Sequence, residues 1–223
     1  MEQEYVNILT LNQYFMIMST ITGKPYIDKD FNGYLFESKS DAEGFVQGLK
    51  NSSIKIPEQY YRVLNLCTEL YQYGFKNIKI KRKEKEDFIT IPVSKADAKT
   101  EYYNHYANRY ILRLRETRKS EYLKALKNVP FLAPIIMDTR LPEQYPGIYY
   151  SYALFKNDTR YFVLFTTLTE FEEWRKSQMY DWKPAELSMQ KFGRIRGKSP
   201  VLINPLSDCL ILSDKQIEKM LKK

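Results

Sequence analysis

The segment Tyr161–Trp174, YFVLFTTLTEFEEW, constrains the architecture of this chain most, because Gly33–Phe45, GYLFESKSDAEGF, repeats its pattern without a gap. Set in register, Leu35 and Phe36 fall on Leu164 and Phe165, Ser38 on Thr167, Ser40 on Thr169, Asp41 on Glu170, Glu43 on Glu172 and Phe45 on Trp174. Each copy reads as a strand running into a helix. Ser38 or Ser40 in one copy, and Thr167 or Thr169 in the other, offers a side-chain oxygen to the first free helical N–H groups, and the acidic residues that follow suit the positive helix end.

The sequence between and around the copies completes an α+β reading. Tyr14–Ser19 is a buried apolar strand, and Lys24-Pro25 and Asn32-Gly33 supply turns. Pro57 opens an amphipathic helix with apolar positions Tyr60, Val63, Leu64, Cys67, Leu70 and Tyr71, closed by Gly74. Asn77–Lys81 and Asp87–Ile91 alternate, as a hairpin with one wet, partly cationic face does. Lys95–Asn128 has neither glycine nor proline and reads as a helical connector, with Tyr103, Tyr106, Tyr110 and Leu114 on an apolar side and a second helix capped by Ser120. Beyond it, Phe131–Met137, Ile148–Phe155 and Arg160–Thr166 are strands of a meander turned at Asn157-Asp158. Helices follow at Glu170–Gln178 and from Pro184 through Phe192. Short strands in Ser199–Ser207 and Cys209–Leu212 then lead to a last helix capped by Ser213-Asp214. The expected organisation is two related lobes, 1–95 and 129–223, each a small, mainly antiparallel sheet packed with helices, joined by a helical connector at 96–128.

The residues that carry the C-terminal lobe also carry a family likeness. The apolar strand before Asp138, the Tyr161–Thr167 core, Glu170–Trp174, and Val201-Leu-Ile-Asn-Pro205 followed by Leu210 and Ile217 resemble the SseB protein N-terminal domain family, named for enhanced serine sensitivity. The resemblance covers residues 129–223 and, more faintly, 12–93. It implies a bacterial α+β protein and brings no catalytic residue and no cofactor. Asn204-Pro205 matches the family's most recognisable dipeptide and reads as a strand end, where asparagine bonds nearby backbone and proline fixes the turn. The N-terminal copy offers only Ile91-Pro92 in its place.

Chemistry-bearing motifs are sparse. His105 is the one histidine, which excludes metal sites needing two from one chain and leaves a single imidazole, set in a helical pattern. The glycine-rich phosphate loops, Cys-x-x-Cys and Gly-x-Ser-x-Gly do not occur. Adjacent Glu172 and Glu173 point to different sides of a helix, and Asp138, Asp158 and Asp181 lie near turns, where capping accounts for aspartate. Cys67 and Cys209, far apart in apolar surroundings, read as buried thiols. These readings favour a protein that is not an enzyme, with no cofactor and no metal.

Charge offers the remaining signal. The net charge of +8 concentrates in Lys76–Lys85 and in Arg109–Lys127, so Lys79, Lys81, Arg109, Arg113 and Arg115 are the candidate contacts for an anionic partner. Interleaved with tyrosines, they set up nucleic-acid binding as the alternative to the favoured reading, a protein-interaction or scaffold module that binds another protein or a copy of itself. Trp174 follows the helical core pattern, whereas Trp182, beside Tyr180 and Pro184, is the candidate partner anchor. Acidic residues near the start, and no apolar run long enough to span a bilayer, make the cytoplasm the expected location and exclude membrane insertion.

Overall fold

The computed structural model describes residues 13–50, 53–58, 60–61, 63–83, 85–93, 105–138, 147–150, 152–154, 159–207 and 209–222. The fold is α+β, and the chain divides into two compact units: Met1–Lys99 with Arg115–Arg118, and Thr100–Leu114 with Lys119–Lys223. Most of the expected connector therefore clusters with the second unit.

In the first unit β1 (Tyr14–Met16), β3 (Asn32–Phe36), β5 (Tyr60–Tyr61), β6 (Asn77–Lys81) and β7 (Phe88–Pro92) form one sheet in the order β5-β1-β3-β6-β7. β3 and β6 run parallel, with Leu35 opposite Ile80, while β1–β3, β1–β5 and β6–β7 are antiparallel. The short pair β2 (Met18–Ser19) and β4 (Ile54–Lys55) stands beside it. Between β3 and β6 the chain makes α1 (Lys39–Leu49) and α2 (Val63–Gln72). Ser38 caps α1, its hydroxyl accepting from the Asp41 N–H at 3.4 Å. One sheet face buries Phe15 and Phe36 against α1, where Phe45 lies 4.6 Å from Tyr34, 5.3 Å from Phe36 and 5.9 Å from Phe88 between ring centroids. The α2 C-terminus closes on Gly74 (φ 85°): Gly74 N–H donates to Tyr71 O and Phe75 N–H to Leu70 O, a pair of bonds that needs the left-handed conformation glycine adopts freely.

In the second unit, α3 (His105–Thr117, whose last residues cluster with the first unit), α4 (Ser120–Ala125) and a 3₁₀ turn at Leu126–Asn128 precede β8 (Pro130–Asp138). β8 lies between β9 (Gly147–Tyr150) and β12 (Lys183–Ser188). A second sheet runs β10-β11-β13-β14, from Tyr152–Leu154, Arg160–Leu164, Val201–Ile203 and Leu210–Leu212. β11 and β13 are parallel, with Leu164 opposite Ile203, and their outer neighbours β10 and β14 are antiparallel. Reciprocal backbone bonds between Leu132 and Phe165, 2.8 and 2.9 Å, tie β8 to the end of β11. α5 (Leu168–Lys176), α6 (Met189–Ile195) and α7 (Asp214–Leu221) complete the unit. Thr167 caps α5 by accepting from Glu170 N–H, and Ser213 with Gln216 forms a capping box on α7. Phe165 and Trp174 are buried, their rings 5.4 Å apart.

Several local expectations are corrected. Asn32-Gly33 is strand rather than turn, the positive φ falling on Phe31 (67°). The helix expected from Pro57 starts at Val63, because Tyr60 and Tyr61 pair with Phe15 and Tyr14 as an edge strand. Pro184 opens no helix: it lies in edge strand β12 opposite Pro134, where neither imino nitrogen has a hydrogen to offer the ladder. Lys119, not Ser120, is the N-cap of α4 and makes no side-chain cap bond. The strands expected as one meander belong to two sheets. Cys209 is exposed rather than buried. Tyr103, Asn157-Asp158 and the side chains of Cys67, His105 and Asp138 lie outside the described residues.

Gly33 supports this packing in a way that can be measured. A Cβ there would stand 2.9 Å from the ring of Phe75, itself buried. Gly33→Ala is expected to cost about 1–3 kcal/mol, read as a lower urea midpoint at unchanged m-value.

Candidate functional site

Two of the basic residues singled out by sequence are not at the surface. Arg109 and Arg113 are 4% and 7% exposed, contrary to the expectation that they project toward an anionic partner. Arg109 stacks its guanidinium 5.1 Å from the Tyr106 ring centroid, and Arg113 lies 5.3 Å from that of Tyr122 while donating to the Tyr122 hydroxyl. Tyr106, expected on the apolar side, is 56% exposed. The cation–aromatic contacts hold the arginines along the helix, and Arg115 is half-buried with partners of its own.

Lys79 and Lys81 share one face of β6, as strand alternation requires. Their ammonium groups sit over the rings of Tyr34 and Phe88, each 5.9 Å from the centroid, and Lys81 also donates to the Glu86 carbonyl. Both therefore lie over rings of the aromatic cluster of the first unit, the ordinary task of an amphipathic side chain at the rim of a core.

Tyr34 is tied to a polar knot missed by sequence reasoning. The Asp28 carboxylate accepts from Asp30 N–H (2.9 Å), from the backbone and side chain of Asn32 (2.8 and 2.9 Å) and from the Tyr34 hydroxyl (2.7 Å). Asn77 then donates to Asn32 at 2.9 Å. Partial burial opposes ionisation of Asp28, but the bonds from Asn32, Tyr34 and Asp30 outweigh it and hold the carboxyl below its ordinary value. Burial first, and Asp28 second, push the Tyr34 hydroxyl well above the ordinary phenol value. The signal in the sequence was Asp-x-x-x-Asn, an aspartate set to bond backbone two and four residues on.

Asn204 is the corresponding lock in the second unit. It adopts φ 53°, accepts from Thr166 N–H, donates to Thr166 Oγ1, both at 2.9 Å, and is 5% exposed. Next to it the Glu170 carboxylate takes Leu206 N–H (3.1 Å) and the Ser207 hydroxyl (2.8 Å). All of these polar groups are satisfied by neighbours, which is the structural role expected of Asn204-Pro205. In the first unit the strand paired parallel to β3 ends at Lys81-Arg82, not Ile91-Pro92; Glu37 there pairs with Arg82 and accepts from Lys83 N–H.

The loop after α5 is different in kind, since it leaves apolar side chains uncovered. Met179 is 91% and Tyr180 61% exposed, side by side. The candidate anchor Trp182 is half-buried instead, its ring 6.2 Å from that of Trp174 and 6.4 Å from that of Tyr180, so it forms the base on which the tip stands. Ser177 Oγ donates to Trp174 O, Trp182 N–H donates to Tyr180 O, and Asp181 is bracketed by Lys183 at 2.7 Å and Arg175 at 3.3 Å. The Lys183 contact chiefly, with Arg175, lowers the Asp181 carboxyl from its ordinary value. Sequence reasoning passed over Met179 and named Tyr180 only as a neighbour of Trp182; their signal was an apolar pair between a helix end and a strand, with no periodic partner.

No group of three or more potential metal ligands occurs among the described residues, and no described helix is long and apolar enough to cross a membrane. No protein-family model and no curated protein sequence matches the chain. Among solved structures it is similar to Tic22 from Plasmodium falciparum, at 20% identity over 82% of each chain and a TM-score of 0.23, a likeness too slight to argue from.

Two measurements check the locks. Asn204→Ala removes both side-chain bonds and leaves alanine at positive φ, an expected loss of about 2–3 kcal/mol by chemical denaturation. Asp28→Ala is expected to cost about 2 kcal/mol at neutral pH. Because the folded carboxyl titrates below its unfolded value of 3.8, the wild-type advantage is full above that pH and fades as pH falls through the lower folded value, which paired denaturation curves across acid pH would show.

Proposed function

We propose that the chain is a non-catalytic protein-interaction module built from two related lobes, and that the Met179–Tyr180 loop tip is its contact. Exposure of that apolar pair on a braced loop is the observation that carries the reading. Exposed aromatic anchors on a rigid base lose little conformational freedom on binding, and Tyr and Trp dominate interface energetics. Isolated exposed apolar residues are ordinary, but here Trp174, Trp182 and the Arg175–Asp181–Lys183 bridge brace a tip whose Met179 and Tyr180 stay largely exposed. Burial of Arg109 and Arg113 weighs against the nucleic-acid alternative, whose phosphate contacts would have to come from the surface.

The relatedness of the lobes rests on matched roles at matched positions. Ser38 and Thr167 are both N-caps, and Ala42 and Phe171 are both fully buried on the following helix. Phe36–Phe45 and Phe165–Trp174 stack at 5.3 and 5.4 Å with interplanar angles of 49° and 50°. Phe36 pairs with Phe15, and Phe165 with Leu132, in each case antiparallel. Following those pairs, β1, β3, α1, β5, α2, β6 and β7 correspond in order to β8, β11, α5, β12, α6, β13 and β14. The SseB-like character of residues 129–223 belongs to the same proposal, as does a cytoplasmic setting.

A photoreactive phenylalanine analogue replacing Tyr180, with the same group at exposed Lys222 as control, tests the contact in a native extract. The expected result is one dominant protein adduct specific to position 180; identical adduct patterns at both positions would sink the reading. Met179→Ser with Tyr180→Ser is expected to leave stability within about 0.5 kcal/mol while abolishing that contact.

A further inference from the structure

We infer that the outward face of α4, α6 and α7 binds the phosphate backbone of duplex DNA without reading its sequence, a second surface independent of the Met179–Tyr180 tip. α6 and α7 lie side by side in opposite directions, for Gly193 rests against Leu221 near one end and Arg196 pairs with Asp214 at 2.7 Å near the other. α4 packs on α7, and Lys127 from the turn after it donates to Leu221 O at 3.3 Å. Phe192, Ile217 and Met220 are buried, and the opposite sides of these helices face solvent. α6 and the loop after it expose Lys191, Arg194 and Lys198; α7 exposes Lys215, Lys219 and Lys222, and α4 adds Lys124. Arg109 and Arg113, buried on α3, take no part.

None of these seven side chains has an ion pair or hydrogen bond among the described residues. The three helices expose two carboxylates, Glu121 and Glu218, because Asp214 is taken up by buried Arg196. Around α5 and the tip the same unit treats its cations differently: Arg175 pairs with Glu172, Lys176 with Glu173 and Lys183 with Asp181. Helix dipoles do not account for the excess. Lys191 and Lys215 stand in the first turns of α6 and α7, where the helix end is positive and a cation is disfavoured. A face that repels itself in this way is complementary to a polyanion.

The composition of the face selects among polyanions. A protein interface has an apolar centre and few lysines, and a membrane-surface helix sinks several apolar side chains, whereas Ile195 is the exposed large apolar residue of these helices. A single strand calls for rings on which its bases stack, and Tyr122 and Phe192, the aromatic residues of the three helices, are buried. A duplex, with its bases already stacked and phosphate outside, needs neither. Six of the seven cations are lysine, a point charge without the planar fork that matches a base edge, so the contacts go to phosphate.

Fluorescence anisotropy of a labelled DNA duplex of mixed sequence, titrated with the purified full chain, tests this. Dissociation constants of about 1 to 100 µM are expected at physiological salt. With about four phosphates neutralised at once, affinity is expected to fall about 100-fold between about 50 and about 200 mM salt, a log–log slope of about −3.6. Lys191→Gln with Lys215→Gln and Lys219→Gln is expected to weaken binding at the lower salt at least about 30-fold and flatten the slope to about −1, with the urea midpoint unchanged. Lys29→Gln with Lys39→Gln and Lys55→Gln removes the same charge from exposed positions of the first unit and is expected to change affinity by less than about 3-fold. Equal weakening by the two triple variants, or binding indifferent to salt, would overturn the inference. So would tighter binding of the corresponding single strand, or cosedimentation with phosphatidylserine vesicles by a chain that ignores the duplex.

Discussion

Two strands that run parallel cannot be joined by a tight turn, and this chain sets such a pair at the centre of a sheet in each unit. β3 beside β6, and β11 beside β13, each oblige the chain to leave the sheet, cross over and return. The crossovers carry α1, β5 and α2 in one unit and α5, β12 and α6 in the other. Much else follows from that detour: the helices cover the sheet face, their aromatic residues meet those of the central strand, and the excursion between first helix and next strand is left at the surface. The Met179–Tyr180 tip arises on that excursion.

How far this could be read from residues depended on whether local chemistry and pairing agreed. The caps were legible to within two residues, Ser38 or Ser40 and Thr167 or Thr169, because a hydroxyl before an acidic first turn has one good use, and Ser38 and Thr167 are the ones that cap in the structure. The hairpin of Asn77–Lys81 and Phe88–Pro92 was legible from its alternation alone. Pro184 misled because proline at a helix start and proline on an edge strand both exploit a missing N–H, and only pairing partners distinguish them, whereas Pro57 lies in the connection between β4 and β5. Tyr60 and Tyr61 fit a helical pattern, yet Tyr14 and Phe15 claim them as a strand, a decision made by residues more than forty positions away.

The candidate site was less legible than the fold. Arginine spacing in Arg109–Arg115 suggested a basic stripe, but Arg109 and Arg113 are buried beside tyrosine rings, Arg113 with a tyrosine, Tyr122, that is buried too, so charge on a helix does not by itself define a cationic face. Trp182 drew notice for its place beside Tyr180 and Pro184, whereas the structure half-buries it and exposes Tyr180 and Met179. Asn204 was read correctly as a strand end from its dipeptide, although the residue it bonds, Thr166, lies 38 positions away and could not be read from it.

The indole stack has a practical corollary. Trp174 and Trp182 are the chain's two tryptophans, and they lie against each other in the second unit. Intrinsic emission excited at the indole band is therefore a reporter of one half of the molecule, and melting of the Phe45-centred cluster in the other half proceeds optically silent unless tyrosine or circular dichroism is followed alongside.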